Sequence, residues 1–93
     1  MSVMSVDLTR AELVSLKETL EVTPRFEGRS TVRDAVQQIL RERRSRPAPL
    51  CVEESALSEL ARRIVVIDLA SATIRSKLDR SLKRARALAD ATP

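Results

Sequence analysis

Residues 30–44 read STVRDAVQQILRERR. Val32, Ala35, Val36, Ile39 and Leu40 fall at i, i+3, i+4, i+7 and i+8, the spacing that lines up apolar side chains on one helix face. Ser30 or Thr31 can cap the start, so the stretch reads as an amphipathic helix through about Arg44 whose stripe must be buried. Residues 72–86, ATIRSKLDRSLKRAR, repeat it without gaps. Thr31 aligns with Thr73, Arg33 with Arg75, Leu40 with Leu82 and Arg44 with Arg86, while Val32/Ile74, Val36/Leu78 and Arg41/Lys83 are conservative pairs. The stretches before them also correspond: residues 8–22 lie on residues 52–66, which brings Leu13 onto Leu57, Leu16 onto Leu60 and Leu20 onto Ile64. The chain therefore reads as a mainly α protein of about four amphipathic helices, arranged as a duplicated helix-loop-helix.

Toward the N-terminus, Met4, Val6 and Leu8 alternate with Ser5 and Asp7, the two-residue period of a short strand, so residues 1–9 form either that strand or a frayed tail. Thr9 and Glu12 fit a capping box, with Leu8 against Leu13 as its staple, and open a helix over Arg10 to Val22 that buries Leu13, Leu16 and Leu20. Pro24 and Gly28 bracket a turn that Phe26 plugs. These elements make residues 10–45 a first helix-turn-helix unit. Pro47 and Pro49 mark residues 46–51 as a stiff connector. Residues 52–90 are the second helical unit within one compact domain. Its first helix, from about Glu53, turns Leu57, Leu60, Ala61, Ile64 and Ile67 inward. Asp68 and Ser71 can stop one helix and cap another, so a break is expected near Ala70. Ile74, Leu78, Leu82, Ala85 and Leu88 then form a narrower stripe.

Composition narrows the chemistry. With 93 residues the chain is one small domain or a protomer completed by a partner. It has no His and one Cys, Cys51, which removes the usual general base, the common nucleophile pairs and a sulfur-rich zinc site. Gly28 is the only glycine, so no glycine-rich phosphate loop can form. An enzymatic role, a cofactor and a metal are not expected. Phe26 is the only aromatic, which leaves no row of rings on which to stack single-stranded bases. The net charge of +4 is concentrated in Arg41, Arg43, Arg44, Arg46 and residues 75–86, which invites an anionic partner. Without a cleavable leader or an apolar run of ~20 residues, the expectation is a cytoplasmic protein with no membrane association.

Two kinds of binding protein fit these parts. The order of strand, capped helix, Arg25-Phe26 turn and TVRDAVQQILRER resembles the ribbon-helix-helix regulators, notably ParD-like antitoxins, over residues 4–44. Leu8, Arg25, Phe26, Ser30, Val32, Arg33, Ala35 and Val36 carry the resemblance. It implies a homodimer whose two strands pair as a ribbon in the major groove of duplex DNA, with the second half as a partner-binding or toxin-neutralising arm. The DNA-binding residues would then be Ser5 and Asp7, beside Val3, with Arg29, Ser30 and Arg33 attracting phosphates. Asp7 departs from the pattern, because a carboxylate is repelled by phosphates and accepts at best from cytosine. The alternative is a helical-bundle protein-interaction or adaptor domain. There Leu57, Ile64, Val65 and Ile67 overfill the core and bind a partner or a second copy, and removal of residues 1–7 leaves stability nearly unchanged. A faint similarity to small helical adaptor domains of bacterial conflict systems rests on Leu16, Leu20, Pro24, Phe26 and Arg29.

Overall fold

A computed structural model describes residues 3–42 and 45–91, with side chains as far as Leu88. Strand β1 (Val3–Val6) leads to helices α1 (Arg10–Val22) and α2 (Arg29–Arg41). Strand β2 (Leu50–Glu53) leads to helices α3 (Glu54–Arg63) and α4 (Leu69–Ala91). The order strand, helix, helix thus occurs twice.

The two strands pair antiparallel, with Val3 opposite Glu53, Met4 opposite Val52, Ser5 opposite Cys51 and Val6 opposite Leu50. Val6, Leu50 and Val52 are buried and Met4 packs against the core, while Val3, Ser5, Cys51 and Glu53 face out. This is the alternation expected of a sheet with one face on a core. The N-terminal segment is therefore a strand, and its partner is in the same chain. Of the connector expected over residues 46–51, the last two residues begin β2 instead. Pro47 and Pro49 precede the strand, where the missing N–H of Pro49 costs no ladder bond.

The halves pack by exchange. Helix α2 rests on β2 and α4 on β1, while α1 packs against α4 and α3 against α2, in addition to the hairpin partners α1/α2 and α3/α4. Swapping β1 with β2, α1 with α3 and α2 with α4 reproduces these pairings, although α3 also touches both strands and α1 neither, so the internal twofold is approximate. Equivalent residues fill the core: Leu13 and Leu57, Leu16 and Leu60, Val32 and Ile74, Val36 and Leu78 are all fully buried. Residues 52–90 are consequently half of one core, not a separable arm.

Local chemistry sets the junctions. At α1 the capping box forms: the Thr9 hydroxyl accepts from the Glu12 N–H at 3.1 Å, and the Glu12 carboxylate accepts from the Thr9 N–H at 2.9 Å. The far end of α1 is closed by Arg29, which donates Nε and Nη2 to the Leu20 carbonyl at 3.1 and 2.6 Å. Arg10 does the same for α2, donating to the Leu40 and Glu42 carbonyls at 3.3 and 2.8 Å. Cations at the two C-termini also oppose the helix dipoles.

Neither Ser30 nor Thr31 caps α2; the cap is Gly28, at φ 94° and without a side-chain bond. A Cβ on Gly28 would lie 2.8 Å from the Ala56 Cβ, so left-handed backbone and close approach to α3 both demand glycine. Helix α2 ends at Arg41, and Arg44, its expected end, lies outside the described residues. The break in the second half falls at residues 64–68, just before Ala70. There the Asp68 carboxylate accepts from the Ser71 N–H at 2.8 Å, and the Ser71 hydroxyl accepts from the N–H groups of Ile67 and Asp68 at 3.0 Å each. Ile67 and Leu88, expected inward, are exposed, because the helix has ended before the first and α4 has outrun its neighbours at the second.

Candidate interaction surface

The ribbon of β1 and β2 presents Val3, Ser5, Cys51 and Glu53 to solvent, and exposed Asp7 follows β1. Ser5 and Asp7 thus face outward as expected. However, among the described residues this face carries the carboxylates of Asp7 and Glu53 and no cation. Ser30 is exposed in the first turn of α2. The two arginines expected to attract phosphate are both half-buried. Arg29 is spent on the Leu20 carbonyl, and Arg33 is half-buried with its Nε enclosed.

Of the four residues expected at a partner interface, Leu57 is fully buried and Ile64 nearly so; both belong to the core. Helix α3 lies against α2, α4 and the sheet, and these cover Leu57, Leu60 and Ile64. Val65 and Ile67 are exposed, at 37% and 54% of their full surface. Sequence reasoning misses Val66 and Leu69, exposed at 45% and 83%. The helix stops at Arg63, the Ile64 backbone turns extended, and helical spacing no longer sorts the following side chains. The only signal in the sequence is the unbroken apolar run of residues 64–67. Residues 65–69 therefore hold four outward aliphatic side chains around Asp68. Scattered exposed aliphatics are ordinary on protein surfaces, but a contiguous set marks a place where another surface can dock.

Charge surrounds this segment. Arg62 and Arg63 end α3 and reach the Glu59 carboxylate at 3.5 and 2.9 Å. The Arg63 hydrogen bond holds the Glu59 carboxyl below its ordinary range. Bonds from the Ser71 N–H and hydroxyl do the same for Asp68, which keeps a negative charge at the start of α4. Elsewhere, Glu12 of α1 meets Lys77 of α4 at 2.6 Å, an ion pair that links the two halves. Burial alone would raise the Glu12 carboxyl, but Lys77 and the Thr9 backbone and hydroxyl outweigh it and hold the carboxyl low.

A cleft of about 810 Å³ lies between the start of α2 and α3, where Thr31, Ser55 and Ser58 mix with Glu27, Glu53 and Glu59. Glu59 lies there ionised against Arg63. Among the described residues no group of three or more acidic or Cys side chains is placed to hold a metal. Nor, among them, is any helix long and apolar enough to cross a membrane. No family model, curated protein or solved structure matches this chain.

Proposed function

We propose that this chain is a non-enzymatic protein-interaction module. Four outward aliphatic residues, Val65, Val66, Ile67 and Leu69, carry that reading, since they are consecutive but for Asp68, whereas the other exposed large aliphatics, Val3, Val14, Val22 and Leu88, are far apart in sequence. A loop held at both ends, by the Leu60 carbonyl accepting from the Ile64 N–H and by the Asp68–Ser71 cap, is ordered before its partner arrives. Such pre-ordering lowers the entropy cost of association. The flanking Arg62 and Arg63 suit a partner with acidic groups beside its apolar contact.

The test is reciprocal co-purification from the native host with the tagged wild-type chain and an Ile67→Asp variant of unchanged helicity. The reading expects a nuclease-insensitive protein partner that the variant loses. It fails if both forms hold the same proteins.

One observation favours a second reading, DNA binding of the ribbon-helix-helix kind. The pairing of β1 with β2 supplies both strands of a ribbon from a single chain, so such a ribbon needs no homodimer. Asp7 and Glu53 on its outer face weigh against entry into a groove walled by phosphates. Under this reading, duplex binding is salt-sensitive and strengthens in an Asp7→Asn, Glu53→Gln variant; unchanged binding in that variant overturns it.

A further inference from the structure

Helices α3 and α4 leave a groove of about 330 Å³ between them, floored by Ala61 and Leu82. Helices α1 and α2 leave another of about 330 Å³, lined by Lys17, Gln37, Leu40 and Arg41. The internal repeat superimposes the two. With residues 8–22 laid on 52–66 and 30–44 on 72–86, Lys17 falls on Ala61, Gln37 on Asp79, Leu40 on Leu82 and Arg41 on Lys83. The groove is thus a product of the helical hairpin, made twice. The copies differ in where their charges sit, not in their sum: Lys17, Arg33, Arg41 and Arg44 with Glu18 in the first answer to Arg62, Arg75, Lys83 and Arg86 with Asp79 in the second.

Around the α3–α4 groove stand Arg62, Arg75, Lys83 and Arg86, against the single carboxylate of Asp79. In the first copy Glu18 takes the place of Arg62, and Arg33, the counterpart of Arg75, is half-buried. Arg75, Lys83 and Arg86 are exposed and, among the described residues, make no ion pair. Arg62 is held only by its 3.5 Å approach to Glu59, with 74% of its side chain exposed. Arg75, Asp79, Lys83 and Arg86 follow one another at i, i+4, i+8 and i+11, a stripe of about three turns or roughly 16 Å. At its head, Arg62 lies three residues before the exposed Val65. The cationic groove and the exposed aliphatic residues are thus neighbours along the chain at Arg62.

We propose that the α3–α4 groove receives a short acidic, amphipathic segment of a partner protein, with carboxylates on Arg75, Lys83 and Arg86 and aliphatic side chains against residues 65–69. The inference rests on the protein-interaction reading above and names the chemistry of the partner. Charge complementarity selects the occupant. A nucleic acid fits worse, because Asp79 interrupts the cations and would meet a phosphate on any continuous backbone. The adjoining aliphatic loop offers bases no aromatic ring on which to stack. A peptide uses both parts of the surface, and Asp79 can accept from one of its N–H groups.

The experiment is fluorescence anisotropy with a labelled synthetic peptide bearing Glu and Leu at helical spacing. A copy with Lys in place of Glu, a random-sequence DNA duplex and phosphatidylserine/phosphatidylcholine vesicles serve as the other probes. The acidic peptide should bind the full chain, and the Lys copy should not. Triple reversal, Arg75→Glu with Lys83→Glu and Arg86→Glu, should weaken binding by about tenfold or more, as should raised salt. Arg41→Glu in the other groove should change it by less than about twofold. Should the reversal unfold the chain, the triple Gln variant with wild-type helicity answers the same question. Equal peptide affinity in wild type and variant overturns the proposal, and so does tighter, reversal-sensitive binding of the duplex or the vesicles. If the host partner is lost with Ile67→Asp but kept in the groove variants, the groove proposal falls while the protein-interaction reading stands. If both sets keep it, both fall.

Discussion

At the scale of single residues, Gly28 is the tightest constraint in the chain. Its φ of 94° and the 2.8 Å separation that an added Cβ would have from the Ala56 Cβ are two separate penalties. Gly28→Ala should cost about 1–3 kcal/mol, read as a lowered urea midpoint with an unchanged slope. Adding Ala56→Gly should return only the steric part, because the backbone angle is still unfavourable. Full recovery would show that the angle carries no cost. Glu12 is the second such residue. Its carboxyl is held below its ordinary value of 4.5, so it contributes stability that is present at neutral pH and lost as pH falls through the lowered value. Unfolding free energy should be flat down to about pH 5 and fall below it. Glu12→Gln should reduce stability at neutral pH and make the acid loss shallower; an identical pH profile would remove Glu12 from the account. Asp68, held low first by the Ser71 N–H, adds to the same acid limb.

At the scale of elements, β1 decides between a tail and a structural strand. Val6 is buried opposite Leu50, and α4 packs on the strand. Val6→Asp buries an unpaired carboxylate and should cost about 3 kcal/mol or more, whereas Val3→Asp on the exposed face should stay within about 0.5 kcal/mol. Thermal unfolding of the two variants checks this, and equal midpoints would make β1 dispensable. By the same reasoning, removal of residues 1–7 should destabilise the fold, where a plain helical bundle expects little change. The strand period of Met4, Val6 and Leu8 was legible because side-chain alternation is local. The partner strand was not. In LCVE only Leu50 and Val52 alternate, and the helix signals of Glu53 and Glu54 follow at once, so four residues could not announce a strand without the one they pair with.

At the scale of the molecule, each half lends its strand and second helix to the other. Residues 1–45 and 46–93 alone should show little helix, since each exposes the face that its counterpart covers. An equimolar mixture should regain the helicity of the whole chain by circular dichroism; a half that folds alone would contradict the exchanged packing.

The sequence by itself determined what depends on near neighbours: the stripe of residues 30–44, its echo at 72–86, the Thr9–Glu12 box, the break before Ala70 and the mainly α class. Helical spacing and capping are properties of a few adjacent residues, and they survive any arrangement of the helices. Only the tertiary structure decided that β1 and β2 form one ribbon, that Arg29 and Arg10 close helix ends, that Leu57 and Ile64 belong to the core, and that Val66 and Leu69 do not. Those outcomes depend on which surface arrives from the distant half of the chain. Burial and charge pairing are settled by contact across space, and an apolar or charged residue carries no mark of which contact will claim it.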